Sequence, residues 1–203
     1  MFILALLLVL GLPRAALAAE GPLELAGIRL GESVDAFKDK LLTDKVDKAF
    51  LRPYLGIMPM VPVPGYRSGY VDFGQCAKPG RIVRIKMNYV DDSLTFFNRI
   101  LEALKKRYGE PAQWRGNAFG TLRTWKWSLT APGGQHVSLI LMHYEGEDGA
   151  FTEGNSIRIA ATDMVREEEH CHAVQSETAK GRSDAKKEGA DLKALGLDWF
   201  LPR

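Results

Sequence analysis

The chain has 203 residues, 46% of them hydrophobic and 26% charged, with a formal net charge of +2. That length and balance suit one globular domain with a substantial core and exclude a disordered or fibrous chain. A net charge this near zero excludes the broad basic field that draws a protein to nucleic acid or to anionic lipid.

Residues 1–19, "MFILALLLVLGLPRAALAA", read as a secretory signal peptide. The apolar run is shorter than the roughly 20 residues a spanning helix needs, and Pro13 ends it. Ala16-Leu17-Ala18 supplies small residues at signal-peptidase spacing. No Lys or Arg precedes the run, which leaves the charge to the α-amino group or to a start further upstream, and a retained N-terminal anchor stays open as the alternative. No lipid-anchor cysteine follows it. No later segment is apolar enough to span a membrane, so no membrane span is expected after signal cleavage. The expected localisation is periplasmic or secreted. The two cysteines would then sit in an oxidising compartment.

Leu23, Leu25 and then Ile28, Leu30 predict a strand whose phase changes at Gly27. Ser33 can cap a helix that carries Val34, Phe37 and Leu41 and ends near Thr43. Pro53, Pro59, Pro62 and Pro64 exclude helix and any central strand from the next segment. Its Tyr, Leu, Ile, Met and Val content predicts an extended loop, residues 54–66, lying along apolar surface. Pro79-Gly80 marks a hairpin turn. Beyond it Val83, Ile85, Met87 and Tyr89 alternate with Arg84, Lys86 and Asn88, one face buried and one wet. The clearest helix follows, capped by Asp92 or Ser93, with a stripe of Leu94, Phe97, Ile100, Leu101, Leu104 and Tyr108. Lys105, Lys106 and Arg107 complement its C-terminal dipole, and Gly109 and Pro111 stop it. Three strands come next. The first places Trp125, Trp127 and Leu129 on one face. The second, residues 136–144, is apolar on both faces, and the third carries Ile157, Ile159 and Ala161. Asp163 caps a last helix ending near Val174.

These elements predict an α+β fold: a mainly antiparallel sheet of about five to six strands with helices packed on one face. The single domain is expected over residues 20–174. Residues 175–203 read as a flexible charged tail or fraying helix with an apolar Leu-Trp-Phe-Leu end. That end could stay loosely ordered, dock on its own domain or enter a partner's groove.

The opening "GIRLGESVDAF" and the later "LKKRYGEP", "WKWSLT" and "LILMHY" resemble short motifs of small exported bacterial α+β domains of unknown function. The opening is also loosely similar to outer-membrane assembly lipoproteins of the BamE type, although the lipid-anchor cysteine of those proteins is missing. The resemblance covers about residues 27–161. It implies an exported domain and carries over no catalytic or binding residue.

Candidate chemistry centres on "EEEHCHAV". Consecutive helical residues point about 100° apart, so His170, Cys171 and His172 cannot all face one ion. Glu167, Glu168 and Glu169 suit the first half of a helix and the histidines its end, with Glu168 placed to pair with His172. Cys171 falls on the apolar stripe with Met164 and Val174, which favours a disulfide to Cys76. A copper or zinc site, or a reactive thiol, using Cys76, Cys171 and a nearby histidine is the alternative. Met58-Pro59-Met60 has the spacing of a soft thioether site, but methionine in an apolar segment more often packs. His136 and His143, seven apart on a strand, face opposite sides. No residue pattern calls for a cofactor, a catalytic group or a metal.

The sequence thus predicts an exported, non-enzymatic domain that binds a protein, peptide or apolar ligand. Tyr54, Leu55, Ile57, Met58, Met60 and Tyr66 of the apolar loop, with Trp125 and Trp127, are the candidate surface. A periplasmic or envelope protein is the expected kind of partner, and nucleic acid is not.

Overall fold

The computed structural model describes residues 20–49, 51–146 and 152–187, with backbone only for residues 180–187. The expected signal segment and the apolar C-terminal end lie outside the described residues. Among the described residues ten strands form two antiparallel sheets, so the expected five to six is an underestimate. Glu24–Leu25 (β1) and Ile28–Arg29 (β2) make a small hairpin. Ala26 and Gly27 turn it with φ of 52° and 73°, which is the left-handed geometry of a tight hairpin and explains the phase change at Gly27.

The main sheet comprises Asp47–Lys48 (β3), Leu55–Pro59 (β4), Tyr66–Gly74 (β5), Ile82–Tyr89 (β6), Gln113–Gly116 (β7), Leu122–Thr130 (β8), His136–Tyr144 (β9) and Gly154–Ala161 (β10). Its order is β3-β4-β5-β6-β10-β9-β8-β7. One face is covered by the helix Leu94–Tyr108 (α1) and the N-terminal segment. The core between them holds Ile28, Leu30, Val71, Ile85, Met87, Phe97, Leu101, Trp127, Leu139, Leu141 and Ile159, all buried. Each such side chain contributes about 1.5–3 kcal/mol by leaving water.

Local chemistry accounts for these elements. Ser93 Oγ accepts from Phe96 N–H at the start of α1, and Gly109 ends the helix at φ 79°. The buried Trp127 indole donates to the Gly109 carbonyl at 2.8 Å, tying β8 to the end of α1. His143, also buried, lies between Asn155 Oδ1 and Glu145 Oε1, each at 2.7 Å. Asn155 Nδ2 donates to the carbonyls of Asp91 and Ser93 and so fixes the approach to α1.

Three expectations are corrected. The Ser33-capped helix is a single 3₁₀ turn, Val34–Phe37, because Leu41 instead bridges to Met60 and is buried in the core. The Pro-rich segment is a loop only over residues 61–65; Leu55–Pro59 is strand β4, second from the sheet edge. The short β3 pairs only with Gly56 and Ile57, so the missing N–H of Pro59 forfeits no ladder bond. The last helix runs Thr162–Lys187 (α2), past Val174. Its second half has Lys and Ala among polar residues and Gly181, and propagation from an anchored first half is cheap. No described helix is long and apolar enough to cross a membrane.

Candidate functional site

The expected apolar surface is largely interior. Leu55, Met58 and Met60 are buried, with Met58 and Met60 in the main core. Tyr54 joins Ala49, Leu55 and Val83 in a second cluster, with Ile57 packed against it. Tyr66 stacks on Tyr89 with ring centroids 5.0 Å apart. Trp127 is buried, and Trp125 is half-buried between Trp114 and the Lys105 ammonium on the α1 side. The period-two pattern of β4 points its alternate residues into the core, so these side chains form no common exposed surface.

Cys76 and Cys171 are joined by a disulfide, with Cα atoms 5.8 Å apart. Neither thiol is free for the alternative chemistry. No group of three metal-ligating side chains comes together among the described residues. His136 pairs with Asp163 on the surface. Glu168 does not pair with His172. It is fully buried and turns to the β5–β6 connection, where Oε2 accepts from Cys76 and Ala77 N–H and Oε1 from Lys78 N–H, at 2.8–2.9 Å. Arg81 stands 3.6 Å from the same carboxylate and also binds Glu167. Met164, Glu168 and Cys171 share one helical stripe, so the periodicity that located Cys171 also marked Glu168 as inward.

The sheet face opposite α1 carries a cleft of about 650 Å³. Strand alternation places one set of side chains there. Lys86 from β6, Arg158 from β10, Ile140 and Met142 from β9, Thr124 and Lys126 from β8 and Arg115 from β7 line it, with Thr152 and Ser156 at one end. The register sets Lys86 directly opposite Arg158. Both are half-buried, and like charges in opposed positions repel. Nearby, Arg84 is engaged by the buried Asp72. Among the described residues no carboxylate lines the cleft or forms an ion pair with Lys86, Arg115, Lys126 or Arg158. A chain almost neutral overall thus concentrates cations on one face.

Burial, then the charges of Arg158, Arg84 and Arg67, push the Lys86 ammonium down to about 8. Burial likewise lowers the Arg158 guanidinium. Lys86 donates to Thr152 Oγ1 at 2.8 Å and lies 5.9 Å from the Tyr70 ring centroid. A pH dependence follows. Below about pH 8 Lys86 is charged in both folded and unfolded chains, and its burial cost is constant. Between about 8 and the ordinary lysine value of 10.5 the unfolded chain binds the extra proton, so this residue makes stability rise with pH. Urea midpoints should therefore show the wild type gaining on Lys86→Met as pH rises through that window. An unchanged difference would count against the cationic environment.

Lys86, Lys126 and Arg158 were visible at polar positions of "RIVRIKMNYV", "TLRTWKWS" and "NSIRIAA". Their convergence depends on β6 lying beside β10, which periodicity does not reveal. Comparison of the chain with protein-family models, with characterised proteins and with solved structures gives no match.

Proposed function

We propose that the protein is an exported, non-enzymatic binding domain that takes an acidic ligand in the cleft on the sheet face opposite α1. The observation that carries this reading is the opposed, half-buried pair Lys86 and Arg158, which has no counter-charge among the described residues. Such a pair costs stability unless an anion bridges it, and charge-assisted hydrogen bonds to one anion would relieve both cations together. Thr124, Thr152 and Ser156 add hydroxyl donors to the lining. The volume is within the range of small-molecule sites. Export is supported by the disulfide, since such bonds persist in oxidising compartments. The apolar-ligand surface is not retained, because most of its residues are committed to the core.

Calorimetric titration with inorganic phosphate and with nonanoate, at constant ionic strength, tests the reading. Arg158→Gln and Lys86→Gln are each expected to weaken binding by about tenfold, the scale of one charge-assisted bond. Equal binding by wild type and variants, or no binding of either anion, would overturn it.

A further inference from the structure

We infer that the ligand of this cleft is a small linear dianion with an apolar middle, held at both ends. The inference rests on the anion-binding reading and adds the ligand's shape. Register lays the lining out in columns across the strands. Lys86 and Arg158 stand opposite each other on β6 and β10. Next comes β9, whose Ile140 lies opposite Arg158 and whose Met142 lies opposite Ser156. Beyond it Lys126 lies opposite Ile140, and Arg115 on β7 lies opposite Thr124, which faces Met142. The order is cation pair, apolar strip, cation pair.

Strands lie about 4.8 Å apart, so the backbones of Arg158 and Lys126, two strands apart, are separated by about 10 Å. A single acidic group reaches one pair and leaves the other unpaired. Two acidic groups joined by a chain lying across the strands reach both. The middle of that chain would rest on Ile140 and Met142, both half-buried, whose strand backbone is already paired on each side. A polar middle would lose water there without gaining partners, whereas an apolar one gains by burial.

The test is calorimetric titration of the whole protein with azelate, nonanoate and succinate at constant ionic strength. Azelate carries an acid at both ends, nonanoate at one, and succinate holds its two acids too close together. Azelate is expected to bind about tenfold more tightly than either. In the double variant Arg115→Gln, Lys126→Gln the azelate-to-nonanoate ratio should collapse towards one. Equal binding of nonanoate and azelate would overturn the dianion while leaving the anion reading intact, since phosphate or nonanoate would still depend on Arg158. Equal binding of succinate and azelate would overturn the spacing. A double variant that weakens azelate and nonanoate alike would show a diffuse charge effect and overturn the two-ended site. An extended acidic peptide binding more than about tenfold tighter than azelate would overturn the small-molecule assignment.

Discussion

Cys171→Ser is expected to lower unfolding free energy by about 3–5 kcal/mol, read from urea titration under non-reducing conditions. The bridge joins residues 95 apart, so in the chain-entropy view it restricts a large part of the unfolded chain. Against the 5–15 kcal/mol typical of whole domains, this is a large share. The bridge also acts at one place in the fold. It fixes α2 to the β5–β6 connection, the same connection whose backbone N–H groups are capped by Glu168. Cys76→Ser should match Cys171→Ser within about 1 kcal/mol, because both remove one covalent link. A loss below about 1 kcal/mol in either would mean that α2 is held without the bridge.

The parts of the fold that were legible in the sequence are those set by local chemistry. The α1 stripe, its Ser93 cap and its Gly109 stop depend on near neighbours, and all are present. The alternation in β6 and the Pro79-Gly80 turn likewise specify a hairpin without reference to distant residues. The expected compartment, the cysteine count and the place of Cys171 on its helical stripe together pointed to the disulfide. What was not legible depends on strand order and on edges. β4 reads as a loop because Pro59 forbids a central strand, and only the brevity of β3 makes that proline harmless. β7 is exposed along its length and polar except for Trp114, so it has no apolar alternation to announce it. The cationic cleft reads as solvated surface in each strand alone. It becomes a site only where β6, β10, β9 and β8 lie side by side.

Glu168→Ala is expected to cost about 3–5 kcal/mol, which is large for one carboxylate on a helix with acidic neighbours. The reason is the number of groups it satisfies. Three successive backbone N–H groups, Cys76 to Lys78, point at its two oxygens, and the side chain is fully buried. Removing the acceptor leaves donors whose desolvation costs about 1–3 kcal/mol each, reduced where water enters the space left behind. Glu168→Gln separates hydrogen bonding from volume. Its carbonyl can serve Cys76 and Ala77, but its amide nitrogen then faces the Lys78 N–H, so a smaller loss of about 1–3 kcal/mol is expected. Gly74 belongs to the same arrangement. A Cβ there would lie 2.3 Å from Glu168 Oε1, with the Lys78 carbonyl 2.8 Å away, so Gly74→Ala must displace the carboxylate from its donors. Glu168 and Cys171 hold the same helix to the same connection from adjacent turns. Their effects should therefore fall short of additivity: once one fastening is lost, the other has less to hold. A double variant, Glu168→Ala with Cys171→Ser, should lose at least about 1 kcal/mol less than the sum of the single losses, the scale of coupling between contacting groups. If the marginal stability leaves the double variant unfolded, the Glu168→Gln pairing gives the same comparison with a smaller perturbation. Strict additivity in that cycle would show that the carboxylate and the bridge secure α2 independently.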